Sequence, residues 1–384
     1  MAALSYGSGR RSATLFRGWD KFDYLMLLAA LLLVVYGLLL IYSGSLRTTE
    51  APLTSFANPV TKQVVFAIVG IGAMLAFSKI DYHYLTHYSW VLYALSILAL
   101  IGILAFGENV YGSTRWFNLG PIQVQPSEFA KLATILLLAR FFSEHGGDAR
   151  ELRALVTSLV IVIPATLLVF IQPDLGTTIV FGALWLGVVL VAGVSRRHLI
   201  VMAAIGLALL PFVWTFAVAD YQIERIDVLV NPEQDPLDSG YNVIQSQIAV
   251  GSGQVFGKGF TNGQQTQLQY LKIPTKDFIF SVLGEEFGFA GALVLFSLFI
   301  VLLMRGIRAA QIAGDTAGQL VAVGIVVMIL MQAFINIAVN VSLFPVTGIP
   351  LPFVSQGGSS LVSVFVSLGI LQSIIMRHRS YRQS

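Results

Sequence analysis

Apolar residues in this chain come in long runs separated by short polar stretches, and many of the runs approach the roughly 20 residues that carry a helix across a bilayer. They lie at roughly 22–43, 60–78, 86–106, 127–142, 155–171, 176–194, 199–218, 281–304, 318–341 and 358–376. The pattern predicts an all-α polytopic membrane protein with about ten transmembrane helices. The first run is too long for a signal-peptide core and no small-residue cleavage site follows it, so it is expected to stay as the first helix. Between the seventh and eighth runs, residues 219–280 form a longer and more polar stretch with "NPEQDPLDSGYN" at 231–242. It reads as a large extracytoplasmic loop, too short and too rich in glycine for a separate domain. Residues 1–384 are therefore expected to form a single membrane domain, with a cytoplasmic segment at 1–21 and a cytoplasmic tail at 377–384.

Composition agrees with the pattern. With 56% hydrophobic and 11% charged residues and a mean hydropathy of +0.79, the 384 residues cannot cover a soluble globule. If both termini are cytoplasmic, fifteen of the 23 Lys and Arg fall on the cytoplasmic side, as the positive-inside rule asks. "SRRH" (195–198) and "MRHRS" (376–380) serve as topology anchors on that reading. The net charge of +3 comes with no dense basic face, which argues against nucleic acid. The absence of cysteine excludes disulfides, thiolate metal sites and a cysteine nucleophile.

The candidate chemistry collects in segments expected to face outward. "GSGQVFGKGF" (251–260) has the wrong glycine spacing for a phosphate loop and Gly259 where that motif needs Ser or Thr. It reads as a surface turn, or as a flexible loop with Lys258 near an anionic lipid headgroup. In "QPSEFAK" (125–131), Pro126 and Ser127 start a helix, Glu128 lies in its first turn, and Lys131 shares its face. A charge inside a span costs at least ~2.5 kcal/mol, so the two are expected to pair, either as a local ion pair that stabilises a short helix or, the reading taken forward, facing an internal polar cavity. Arg115 and Trp116 precede them and offer a cation for phosphate and a flat ring for a sugar, or equally an anchor at the membrane interface. Asp174 in "QPDLG" can cap a helix. Asn336 and Asn340, one turn apart, suit a role in gluing helices, and "SQGGSS" (355–360) offers backbone amides to an anion. Asp277 stands where the polar stretch returns to apolar sequence, either capping the eighth span or lining a cavity at its mouth. Of Glu285 and Glu286, at least one must point into the protein.

Taken together, "QPSEFAK", "QPD", "YNVIQSQIAVGSGQVFGKGF", "DFIFSVLGEEFG" and "PVTGIPLPFVSQGGSS" resemble, in order and spacing, the SEDS proteins of shape, elongation, division and sporulation, over about residues 20–377. "YNVIQS" and "GKGF" are more similar to the elongation branch than to the division branch. The resemblance implies a ten-helix peptidoglycan glycosyltransferase in the bacterial plasma membrane. It would polymerise lipid II, the undecaprenyl-pyrophosphate-linked disaccharide pentapeptide, beside a class B penicillin-binding protein that crosslinks the product. It places the family's essential aspartate on Asp277 and its sensitive polar positions on Trp116, Glu128, Lys131 and Asp174. Two departures stand out. The Glu and His that usually precede the aspartate are missing from Ile273–Lys276, and Gln356 replaces a Tyr in the Ser-Tyr-Gly-Gly pattern. The mechanism expected is removal of the acceptor hydroxyl proton by Asp277, with the pyrophosphate balanced by Arg115, Lys131 or a divalent cation (Mg or Mn) and no organic cofactor. The rival readings are a flippase or transporter for the lipid-linked precursor and a noncatalytic scaffold for the transpeptidase.

Overall fold

The structure, a computed structural model, describes residues 19–377 apart from 111–112, 121, 146–150, 217–219 and 235–238. The terminal segments before 19 and after 377, with the basic residues assigned to them, lie outside the described residues. Lipid gives the backbone no hydrogen-bonding partner, so each apolar run folds as a helix. α1 (Tyr24–Ser45) is capped by Asp23, and α2 (Pro59–Lys79) by Asn58 with Pro59 at its first position. The run at 86–106 divides into α3 (Tyr82–His87) and α4 (Ser89–Phe106). α5 (Pro126–Glu144), α6 (Leu152–Ile171), α7 (Leu175–Val191) and α8 (Arg196–Phe216) follow. The long polar stretch is more ordered than a loop, holding α9 (Asp220–Val230), α10 (Ser239–Ser252) and the single turn α11 (Gln264–Gln267). α12 (Ile279–Ile312), α13 (Thr316–Asn340) and α14 (Gly358–Arg377) complete the chain.

Among the described residues, α1, α2, α4, α6, α12, α13 and α14 are long and apolar enough to cross a membrane. The other expected spans are α5, interrupted by Glu128, Lys131, Arg140 and Glu144, the 17-residue α7, and α8. α14 sits at the centre, with 89% of its span buried against 17% for α4. Small residues allow its approach to α2. A Cβ on Gly369 would come within 2.7 Å of the Met74 carbonyl, and one on Gly70 within 2.4 Å of the Phe365 ring.

Two features depart from the all-helical expectation. Between α4 and α5 lies a three-stranded antiparallel sheet, β1 (Glu108–Val110), β2 (Ser113–Leu119) and β3 (Ile122–Val124), with Leu119 opposite Ile122 and Phe117 opposite Val124. Gly120, at φ +69°, turns the second hairpin. The other departure is a break in α12 at Gly288, where φ is +62° and ψ −158°. The glycine-rich 253–259 segment packs into that break. Lys258 N and Gly259 N donate to the carbonyls of Glu285 and Glu286 (2.9 and 3.1 Å), while Phe289 N and Ala290 N donate to Gln254 and Val255 (2.9 Å each). The segment supplies the hydrogen bonds that the interrupted helix cannot make for itself.

Loops expected on the same side of the membrane meet one another. On one side Gln63 Nε2 donates to Ser355 O (3.1 Å) and Arg115 Nε to Gln172 O (3.2 Å). On the other, Tyr82 donates to Asp315 (2.6 Å), Arg305 pairs with Asp23 (2.6 Å), and Arg377 Nη1 donates to Ser78 O (3.1 Å).

Candidate active site

Asp277 does not cap α12. The capping position is Phe278, and no side chain bonds the first turn from there. Asp277 instead lines a cavity of about 150 Å³ between α2 (Lys62, Gln63, Phe66), the sheet (Trp116, Gln123), its neighbour Lys276, and the 348–358 loop with Ser360. Burial pushes the Asp277 carboxyl above the ordinary carboxylate range; Lys276, Arg115 and Arg225 pull it back down, and Asp174 adds to the rise.

Arg115 is held against the α6–α7 turn. Nε donates to Gln172 O, Nη2 donates to Pro173 O, and Nη1 lies 3.7 Å from Asp174 Oδ1. Asp174 is the cap of α7, accepting from Thr177 N (3.1 Å) and Thr177 Oγ1 (2.9 Å), and it also accepts from Gln125 Nε2 (3.4 Å). Two bonds to carbonyls and one loose ion pair fix the guanidinium while leaving its charge to act on the cavity. Gln356 lines the cavity and closes on Thr275: its N donates to Thr275 O and its Oε1 accepts from Thr275 Oγ1, each at 2.9 Å. The two places where the sequence departs from the SEDS pattern are thus in direct contact.

Three expectations need correction. Glu128 and Lys131 do pair, at 2.8 Å, but the Glu128 carboxylate takes its further hydrogen bond from Ser363 of α14 (3.0 Å), and neither residue lines the Asp277 cavity. The Lys131 side chain is 1% exposed, committed to Glu128 and not among the groups that line that cavity. Nor does Lys258 line it: Nζ lies 3.0 Å from Glu285 Oε1 beside the break in α12, and the glycine-rich segment is a packed structural element. The cations of the site are Lys62, Lys276 and the neighbouring Arg115. Lys62 and Lys276 were visible in the sequence only as two of the non-cytoplasmic basic residues, and nothing in their spacing brings them together. Among the described residues no group of three or more His, Asp or Glu could hold a metal ion. Asp277, ringed by cations, suits an anionic ligand better than a resident divalent cation.

The family model described as cell cycle protein, FtsW/RodA/SpoVE, matches residues 23–380. The chain belongs to this family. Among its relatives, the peptidoglycan glycosyltransferase MrdB of Escherichia coli K12 is 38% identical over 358 residues, covering 93% of this chain and 94% of that one. Stage V sporulation protein E of Bacillus subtilis is 40% identical over 355 residues (92% and 96%). The peptidoglycan glycosyltransferase RodA of Treponema pallidum is 31% identical over 432 residues (94% and 99%). Among solved structures, the fold is similar to a chain from a study of polymerization and crosslinking by a peptidoglycan synthase complex, with TM-score 0.78, 28% identity and 94% and 99% of the two chains covered. It is also similar to the rod shape determining protein RodA of Thermus thermophilus, with TM-score 0.69, 26% identity and 95% and 99% covered. Within the family the chain is RodA-like, a multi-pass membrane protein.

Proposed function

We propose that this chain is a peptidoglycan glycosyltransferase of cell elongation and shape that polymerises lipid II at the outer face of the bacterial plasma membrane, with Asp277 as its base. The observation that carries the assignment is the placement of Asp277, partly buried, in a cavity beside Trp116 and among Lys62, Lys276 and Arg115. The 4-hydroxyl of the acceptor sugar attacks the anomeric carbon of the donor, forming the new C–O bond as the bond to pyrophosphate breaks. Asp277 takes the hydroxyl proton. The negative charge leaves with the pyrophosphate toward Lys62 and Lys276, while Arg115, pinned to the α6–α7 turn, contributes a fixed field. Trp116 offers a face to a sugar ring. At about 150 Å³ the cavity takes the reacting end of a sugar while the rest of the glycan and the lipid lie outside it. Membrane lipid surrounds the helices, and the expected partner is a class B penicillin-binding protein that crosslinks the strands.

The test is polymerisation of purified lipid II in detergent by the purified chain, with and without a class B penicillin-binding protein. Glycan chains from the parent and none from Asp277→Asn are expected. A scaffold makes no polymer in either form, and a flippase has no membrane to move lipid across in this assay.

A further inference from the structure

The main chain of Asp277 is held by a device separate from the cavity. In a regular helix Ser281 N would donate to the carbonyl four residues back, that of Asp277. Here Ser281 N donates instead to Phe278 O (3.0 Å), in a tighter first turn, and to Asn340 Oδ1 (2.9 Å), while Asn340 Nδ2 donates to Asp277 O (2.8 Å). Ser281 Oγ adds a second bond to Asn340 Oδ1 (2.6 Å). One turn earlier on α13, Asn336 Nδ2 donates both to Asp277 O (3.1 Å) and to Ile349 O (2.8 Å), the latter in the loop that forms the facing wall of the cavity. Both amides are buried. Asn340 is tied down in turn, because its own carbonyl accepts from Ser246 of α10 (2.7 Å).

We propose that Asn336 and Asn340 are positioning residues for the transfer reaction. Both hold the Asp277 carbonyl, and Asn340 also accepts from Ser281 N, so that residue 277 stays outside the helix with its side chain in the cavity. This inference rests on the reading of Asp277 as the base. Without the Asn340 amide between them, Ser281 N can shift from Phe278 O to Asp277 O, α12 gains a residue, and Asp277 falls at the position where a carboxylate caps the first turn and no longer serves the substrate. A displacement of about 1 Å in a reacting group costs on the order of 100-fold in rate.

The experiment compares the full-length chain with Asn340→Ala, Asn336→Ala, Asp277→Asn and Ser158→Ala, all on purified lipid II in detergent. Ser158→Ala removes a buried hydrogen bond from Trp185 (3.0 Å) on α6 and α7, away from the cavity, and measures what a lost internal bond does by itself. For Asn340→Ala, kcat is expected to fall about 10- to 100-fold with KM changing less than about 3-fold. The acid limb of the kcat profile should move to lower pH, because a carboxylate that accepts backbone N–H bonds ionises more readily. Ser158→Ala should lose thermal stability to a similar degree and keep the parental kcat and acid limb. If Asn340→Ala is not recovered folded, Asn336→Ala carries the test of kcat and acid limb in the same direction and to a smaller extent, since it removes a donor to Asp277 O but leaves the Asn340 bonds to Ser281 in place. A folded variant with parental kcat, or with reduced kcat and an unmoved acid limb, overturns the positioning role. Should that happen while Asp277→Asn is inactive, the clamp fails alone; an active Asp277→Asn removes the base and with it the clamp.

Discussion

The cost of burying an acid at position 277 is relieved only in part by the charges of Lys276, Arg115 and Arg225, and the side chain does not cap α12, which is why it reads as chemistry. Asp277→Asn keeps the size and removes the proton acceptor, so polymerisation should fall by roughly 100-fold or more. The stability effect has a definite sign. Burial raises the Asp277 pKa in the folded chain. At neutral pH the ionised carboxylate is therefore worse off folded than unfolded, and Asp277→Asn should melt no lower than the parent, with any gain shrinking as pH falls through the folded pKa. Melting curves of the two proteins at neutral and mildly acidic pH check this, and a lower melting temperature for the Asn variant at neutral pH would contradict it. Asp277 was legible in the sequence because it marks a boundary between polar and apolar patterning. Lys62 and Asn340 were not, since their roles exist only after α2 and α13 are brought against the 274–278 segment, and no local spacing encodes that meeting.

At the scale of elements, the pairing of Glu128 with Lys131 was legible from their i,i+3 spacing, but their depth was not. With side chains 3% and 1% exposed, removal of one partner strands the other. Lys131→Met should cost about 3–5 kcal/mol and reduce folded yield, and adding Glu128→Gln should restore much of it. Yield is read by size-exclusion chromatography in detergent, and a well-folded but inactive single variant would instead return Lys131 to the chemistry. The break in α12 was also illegible, because the sequence from 279 to 312 is continuously compatible with a helix and the partner that opens it lies some thirty residues earlier. Gly288→Ala is doubly penalised: φ is +62° and the new Cβ would stand 2.4 Å from Gly257 N. It should lower the melting temperature sharply. Gly182→Ala, in α7 with nothing within 4 Å of the added methyl, should leave it unchanged or raise it slightly, as Ala is favoured over Gly in a helix by about 1 kcal/mol.

At the scale of the whole molecule, hydrophobic patterning made the membrane class and the approximate helix order readable, because both follow from length and composition alone. The sheet between α4 and α5 and the helices of the long polar stretch depend on tertiary packing and were not readable. The two families of loop contacts nevertheless place the connections of α1–α2, α4–α5, α6–α7 and α13–α14 together on the Asp277 side, and those of α2–α3 and α12–α13 together opposite them. The bias of Lys and Arg predicts that the second side is cytoplasmic. Since the chain has no cysteine, a single introduced thiol is unambiguous. Leu53→Cys and Leu343→Cys, exposed in the α1–α2 and α13–α14 connections, should react with a membrane-impermeant maleimide in intact spheroplasts. Arg197→Cys and Arg308→Cys, at the opposite ends of α8 and α12, should react only after permeabilisation. If Arg197 and Arg308 label in intact cells while Leu53 and Leu343 do not, the orientation is inverted. The Asp277 cavity would then open to the cytoplasm, and a polymerase acting on the outer face could not use it.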